Sequence, residues 1–242
     1  MNALARIVRA MALAFTAASL VLGGSAAHAQ PLTVLPVTIK LSPGQKAATL
    51  TVISAGQTSF QVRAYAWRQS ENGDVQLADT DALLASPPLG TIAAGGSQVI
   101  RLVLRHLPTD REATYRILVD QIPPPAAPGV VQVALRLSIP IFALPQTRVA
   151  PHVTWRIENG GGQSFLVGVN DGTSHLKVHD LALHATGGAT LPVETKNVSP
   201  YLLAGTTRRW RVLGRPAAGG AWRLTGTSDD GRIDQQVHLN DR

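Results

Sequence analysis

The 242-residue sequence contains no cysteine, and aromatic residues (5%) and charged residues (15%) are both scarce. Without disulfides, the burial of apolar side chains has to hold the core together. After the first 29 residues no run is apolar enough to span a bilayer, and no long segment has helical periodicity. The formal net charge is +7, but the arginines are dispersed. The tight basic group TTRRWRV alternates like an ordinary strand, so nucleic-acid binding is not expected.

Residues 1–29 have the three parts of a secretory signal peptide. Arg6 and Arg9 are followed by an apolar stretch from Met11 to about Leu22 and then by small residues ending in Ala27-His28-Ala29. The alternative, a membrane anchor, is disfavoured because the apolar stretch is shorter than the roughly 20 residues that a span requires. We therefore expect cleavage after Ala29, no membrane insertion and a soluble protein in an exported compartment.

The rest of the chain consists of short alternating runs separated by turn residues, which predicts an all-β fold. About seven strands are expected before the segment FALPQTRVAP, whose prolines indicate a linker. A second set of runs follows, among them HVTWRIE, LKVHDLALH and AWRLTGT. We predict two β-sandwiches, at residues 30–146 and 147–242, each of about 100 residues.

No motif for catalysis or for metal or cofactor binding is present. His175, His179 and His184 lack further ligand candidates and are interpreted as surface histidines. The serines form no nucleophile turn, and paired carboxylates occur only in the turn-like Asp229-Asp230-Gly231. We expect neither an enzyme nor a bound cofactor or metal.

The stretch VVQVALRLSIPIF, residues 130–142, alternates almost without interruption and predicts a long strand with one aliphatic face. Pro140 lies within it, and proline is confined to edge strands, strand starts or bulges because it has no N–H group to donate. An apolar strand at a sheet edge promotes aggregation unless a partner covers it. This stretch is therefore the main indication of function.

Its surroundings match a family. The pieces LTVLPVTIKLSPGQKAATLTVIS, IAAGGSQVIRLVL, DREATYRILVDQIPP, VALRLSIPIFALP and YLLAGTTRRWRVL occur in the order found in PapD-like periplasmic pilus chaperones, which this chain resembles over nearly all of its mature length. The resemblance implies two immunoglobulin-like domains arranged in an L, a periplasmic location, and pilus subunits and an outer-membrane usher as partners. The alternative is a secreted immunoglobulin-like adhesin or a structural pilus subunit.

In this family the edge strand is lent to a subunit that lacks its last strand. The resemblance implies that the donated side chains are Val131, Val133, Leu135, Leu137 and Ile139, with Ile141 nearer the linker. The alternative is that the same face covers the core of its own domain, because periodicity does not say what covers a face.

The best-known branch of the family anchors the subunit's C-terminal carboxylate with two basic residues. The matching positions here are Thr38 and Pro140, which carry no charge, whereas Arg116 stands where that branch has an apolar residue. This pattern resembles the archaic, Csu-type and spore-coat-like chaperones, and it implies that Arg116 is the anchor, assisted by Thr38. Arg101 and Arg136 are the rival anchors. The other alternative is that Arg116 makes an ordinary salt bridge, for example with Asp120 or Glu112.

Overall fold

The structure is a computed structural model that describes residues 32–125, 133–147, 150–185, 188–196, 198–217 and 220–240. All of these residues belong to one compact unit. They form strands and loops, and no helix occurs within these ranges. Among them, no helical segment is long and apolar enough to cross a membrane. The predicted signal peptide lies outside the described residues.

The first sandwich is built from ten strands in two sheets. The strands are β1 (Leu32–Leu35), β2 (Ile39–Leu41), β3 (Ala47–Ser54), β4 (Thr58–Gln69), β5 (Val75–Asp79), β6 (Leu83–Ser86), β7 (Leu89–Ile92), β8 (Ser97–Leu104), β9 (Ala113–Ile122) and β10 (Arg136–Ala143). One sheet has the order β1-β3-β8-β6, and the other has the order β2-β10-β9-β4-β5, with β7 also paired to β4.

Alternation of apolar and polar residues explains why these segments are strands. In β8, Ile100, Leu102 and Leu104 are buried while Ser97, Val99 and Arg101 are exposed, as period-two side-chain placement requires. The sequence indicated about seven strands, and the structure has more because β5, β6 and β7 are too short for alternation to reveal them.

The second sandwich also consists of two sheets. Its strands are β11 (Val153–Gly160), β12 (Gln163–Asn170), β13 (Leu176–Ala185), β14 (Thr190–Pro192), β15 (Tyr201–Leu202), β16 (Thr206–Val212), β17 (Trp222–Ser228), β18 (Gly231–Val237) and β19 (Leu239–Asn240). The sheet orders are β16-β12-β11-β19 and β14-β13-β17-β18, and β15 pairs with β13. Three buried tryptophans, Trp155, Trp210 and Trp222, contribute to its core. The basic group TTRRWRV is strand β16, as predicted.

A small aromatic cluster joins the two sandwiches. Trp67 and Phe142 from the first sandwich pack with Tyr201 and Leu203 from the second, and all of them are buried. The three aromatic rings meet at tilted or edge-on angles, with centroids 5.3–5.8 Å apart. Such geometry is favourable for aromatic pairs, so the interface between the sandwiches is a packed apolar contact.

Candidate functional site

Strand β10 has an open edge along its first half. On one side it pairs with β9 over its whole length, from Arg136 to Ala143. On the other side it pairs with β2 only at Ile141–Ala143, in parallel. From Arg136 to Pro140, no strand within the described ranges lies on that second side. The prediction of an edge strand is therefore confirmed for this segment. The predicted start at residue 130 was wrong for residues 133–135, which precede β10 and are not part of a strand.

The hydrogen bonds of β10 explain why Pro140 is tolerated. The Gln121 N–H donates to the Leu135 carbonyl on the β9 side at 2.8 Å, and the Leu144 N–H donates to the Leu41 carbonyl on the β2 side at 3.0 Å. Odd-numbered residues of β10 thus direct their backbone groups towards β9, and even-numbered residues direct theirs towards the opposite edge. Because the nitrogen of Pro140 faces that opposite edge, the ladder with β9 loses no hydrogen bond.

The row of aliphatic side chains passes from solvent into the core of the first sandwich. Val133 is 76% exposed and Leu135 is 37% exposed, whereas Ile139 is only 2% exposed. Leu137 lies between them, partly buried against the core that contains Ile139. Val131, the first residue of the predicted donor row, lies outside the described residues. The face therefore covers its own core at Ile139 but lies uncovered at Val133 and Leu135.

The opposite face of the same segment carries charge. Arg136 donates hydrogen bonds to Asp120 on β9, and Arg63 on β4 donates to the same carboxylate at 2.7 Å. Burial works to raise the pKa of Asp120, but these hydrogen bonds outweigh it and hold the pKa below the usual value. Arg136, a rival anchor, therefore already has a carboxylate partner.

Arg116 on β9 stands directly opposite Pro140 on β10 and Tyr65 on β4. It is only 9% exposed, and its guanidinium carbon lies 3.9 Å from the centre of the Trp67 ring. Its Nε is buried without an acceptor. Burial lowers the pKa of the Arg116 guanidinium below the value usual for arginine, partly offset by Tyr201. The charge is therefore held in a partly dry environment without a counterion among the described residues.

Neither salt bridge considered for Arg116 is present. Asp120 binds Arg63 and Arg136, and Glu112 binds His175. That alternative was wrong because Asp120 and Glu112 each lie four residues from Arg116, roughly 13 Å along an extended chain at about 3.3 Å per residue, and other strands supply nearer partners.

Of the other candidate anchors, Thr38 lies close to Arg116 and Arg101 does not. Thr38 is partly buried and immediately precedes β2, and continuing the parallel register of Ile39 with Ile141 places it beside Pro140. Thr38, Pro140 and Arg116 thus form one row across β2, β10 and β9. Arg101 is exposed on β8, in the other sheet of the sandwich.

His175 was predicted to be a surface histidine, and this prediction was wrong. Its Nδ1 lies 2.8 Å and 2.9 Å from the two carboxylate oxygens of Glu112, and its ring stacks on Phe142 with centroids 3.7 Å apart. Its Nε2 lies 3.7 Å from Asp229. Both His175 and Glu112 are buried at the contact between the sandwiches. No local pattern signals this pair, because the partners are 63 residues apart in the chain.

The turn between β4 and β5 makes a second contact between the sandwiches. The Arg209 N–H on β16 donates to the Glu71 carbonyl at 2.7 Å, and Gln69 exchanges hydrogen bonds with Tyr201 and Leu203. Gly73, with a φ of +85°, lies against Arg208, and a Cβ there would be 2.4 Å from the Nε of Arg208. Only glycine adopts this φ easily and leaves this space.

Arg208 is almost completely buried beneath that turn. Its Nη1 donates to the Tyr201 carbonyl at 2.5 Å. Burial lowers the pKa of its guanidinium to about 10, and Asp74 acts in the opposite direction. The predicted turn ENGD is therefore also a docking element. Within the described ranges, no three histidine or acidic side chains are close enough together to hold a metal ion.

Together these features define the class of fold: two immunoglobulin-like sandwiches in contact, the first with a half-open strand edge. Residues 31–148 match the family model described as pili and flagellar-assembly chaperone, PapD N-terminal domain. This segment is therefore a PapD N-terminal domain of the pili and flagellar-assembly chaperone family. No curated protein sequence matches the chain.

Solved structures of chaperones share the two-sandwich fold. The chain is similar to a chain of the CsuC–CsuE chaperone–tip adhesion subunit pre-assembly complex from archaic chaperone-usher Csu pili of Acinetobacter baumannii, with a TM-score of 0.67 and 22% identity over 87% of this chain and 99% of that one. It is also similar to a chain of the Salmonella enterica SafA pilin–SafB chaperone complex (0.58, 16% identity, 88% and 97% covered) and to the E. coli chaperone DraB (0.55, 21%, 88% and 97%). At these identities the likeness establishes the fold.

Proposed function

We propose that this protein is a periplasmic chaperone that stabilises pilus subunits by lending them the open edge of β10 and then delivers them to an outer-membrane usher. The observation that carries the proposal is the half-open edge of β10, with Val133 and Leu135 exposed beside it. An uncovered apolar strand edge is an aggregation hazard, and a partner strand removes it. The match to the pilus chaperone domain supports this interpretation over that of an adhesin or a structural subunit.

The edge offers both backbone and side-chain interactions to a subunit. The outward backbone groups of Arg136 and Ser138 are free to pair with a partner strand, as in strand addition to a sheet edge. Val131, Val133, Leu135 and Leu137 then fill the subunit's groove. Full burial of an exposed aliphatic side chain contributes about 1.5–3 kcal/mol, and Leu135 and Leu137 contribute less because they are partly buried in the free protein. Ile139 already packs in the core of the first sandwich, so we propose that it contributes less and fixes the base of the donated strand.

Arg116 is the proposed anchor for the subunit's C-terminal carboxylate, with Thr38 beside it in the same row. A buried cation without a counterion is unfavourable, and an incoming carboxylate removes that cost. The planar guanidinium is able to meet both carboxylate oxygens at once. The hydroxyl of Thr38 adds one neutral hydrogen bond, which is the weaker contribution. An anchor on β9, instead of basic residues at the positions of Thr38 and Pro140, supports assignment of this protein to the archaic branch of the family.

The periplasmic location is proposed from the leader at residues 1–29 and from the family. The leader has a basic start, an apolar middle and an A-x-A end. Cleavage after Ala29 leaves Gln30 as the first residue of the mature chain. No disulfide holds the sandwiches together, because the chain has no cysteine.

Co-expression tests the proposal directly. A pilus subunit, sought among the small secreted proteins encoded near the gene for this chain, is produced in the periplasm with and without this protein, and soluble full-length subunit is quantified. We expect the subunit to be degraded or insoluble alone, and to co-purify with this protein as a one-to-one complex when both are present. A subunit that stays soluble alone, or that never co-purifies, contradicts the proposed function.

A further inference from the structure

Arg116 does not lie freely in the cleft but rests on the buried indole of Trp67. The two residues are on neighbouring strands, since Arg116 pairs with Tyr65 and Trp67 follows on the same face of β4. The guanidinium carbon is 3.9 Å from the ring centre, well inside the roughly 6 Å range of cation–π attraction. Contact with the indole face therefore restricts the positions that the guanidinium can adopt.

Trp67 is itself held in place from several sides. The ring of Tyr201 meets it edge-on, with centroids 5.4 Å apart and an interplanar angle of 87°, and Phe142 packs at 5.8 Å. The Thr114 hydroxyl donates to the Trp67 carbonyl at 2.7 Å. Since Tyr201 belongs to the second sandwich, both sandwiches keep the indole in one orientation.

Arg116 differs from the other stacked arginines in lacking an acceptor. Arg63 above Tyr65 binds Asp120, Arg208 above Trp210 donates to the Tyr201 carbonyl, and Arg209 above Phe165 binds Glu158. Among the described residues, none is an ion-pair or hydrogen-bond partner for the guanidinium of Arg116. Stacking uses the face of a guanidinium and leaves the N–H groups in its plane to bind a ligand.

We propose that Trp67 is the positioning residue of this anchor. It presents the Arg116 guanidinium so that a carboxylate binds in the guanidinium plane, parallel to the indole. The inference deepens the proposed function and rests on it for the identity of the natural ligand, the C-terminal carboxylate of a subunit. Preorganisation of this kind lowers the cost of ordering a long side chain on binding.

The test uses the mature full-length chain and N-acetylglycine as a carboxylate probe, with N-acetylglycinamide as its neutral analogue. Binding is followed by the side-chain Nε–H signal of Arg116 in ¹⁵N NMR. We expect N-acetylglycine to shift this signal and the amide to leave it unchanged. Trp67→Leu is expected to raise the Kd for N-acetylglycine about tenfold, within the range given for desolvated cation–π contacts. Trp67→Phe keeps an aromatic face and is expected to give a smaller increase.

Matched controls separate positioning from general damage. Phe165→Leu removes a similar stack, that of Arg209 at 4.6 Å, in the second sandwich, and should leave the Kd unchanged. Arg116→Ala should abolish binding. Melting temperatures of all variants are measured, and if Trp67→Leu does not fold, Trp67→Phe decides the question.

Two results would overturn the inference: no binding of N-acetylglycine to the unmodified protein, or a folded Trp67 variant with an unchanged Kd. Failure of the proposed function is seen separately. In that case no subunit co-purifies with the protein, although N-acetylglycine still binds through Arg116 and still depends on Trp67.

Discussion

Replacement of Leu135 by aspartate separates donation of β10 from a role in the protein's own core. Leu135 is 37% exposed and precedes the first residue of β10. Changes at such positions usually alter the free energy of unfolding by no more than about 0.5 kcal/mol. The free chaperone should therefore fold normally and melt within a few degrees of the unmodified protein.

Leu135→Asp should greatly weaken the complex with a subunit. It removes the burial of the part of Leu135 that is exposed in the free protein, worth roughly 0.6–1.1 kcal/mol. It also places a carboxylate in an apolar groove, which costs several kcal/mol unless the group is protonated or finds a partner. A combined loss of about 4 kcal/mol or more corresponds to a roughly thousandfold weaker complex. The subunit should then be degraded or insoluble in the co-expression assay.

Ile139→Asp is the matched comparison on the same face. Its side chain is buried in the first core, so the substitution creates a cavity worth about 2–5 kcal/mol and also buries a charge. This is a large share of the usual total stability of about 5–15 kcal/mol, and the free chaperone should unfold or melt far lower. The reasoning is refuted if Leu135→Asp unfolds the free protein, or if that variant still protects the subunit.

Four further predictions concern other parts of the chain. Arg116→Ala should abolish the soluble subunit complex and Arg116→Lys should weaken it, with melting temperatures little changed; normal complex yield in Arg116→Ala would exclude this residue as the anchor. Gly73→Ala should destabilise the protein by about 1 kcal/mol or more, because the φ of residue 73 is +85° and the new Cβ would collide with Arg208. Thermal unfolding measures this loss, and an unchanged melting temperature would contradict the contact between residue 73 and Arg208. The pKa of Asp120 is lower in the folded protein than in the unfolded chain. The ionised carboxylate therefore stabilises the fold above the unfolded pKa of about 3.9, and this stabilisation is lost as the pH falls through the folded pKa. Asp120→Asn should lower the midpoint of denaturant unfolding at pH 7, and the difference in midpoint between the variant and the unmodified protein should narrow in acid. Mass spectrometry of the exported protein should find Gln30 as the first residue, and an intact leader would contradict this.

The parts of the fold that local chemistry controls were predictable. Alternation identified strands such as β8 and β16, since period-two placement is a property of each segment by itself. Pro140 indicated an edge because its missing N–H group is a local defect in any ladder. The pair of His175 and Glu112 was not predictable, because it forms only where two distant segments meet at the interface between the sandwiches.

The sequence by itself predicted an aliphatic strand suited to a sheet edge at residues 130–142, with an arginine near it at position 116, and the structure forms this strand from Arg136 onwards. Only the tertiary structure decided that the aliphatic row is covered by its own core at Ile139 and uncovered at Val133. It also decided that Arg116 rests on Trp67, with no carboxylate among the described residues paired to it. The physical reason is that periodicity states which side chains share a face, whereas the neighbour that covers the face, and the partner that neutralises a charge, come from strands far apart in the chain.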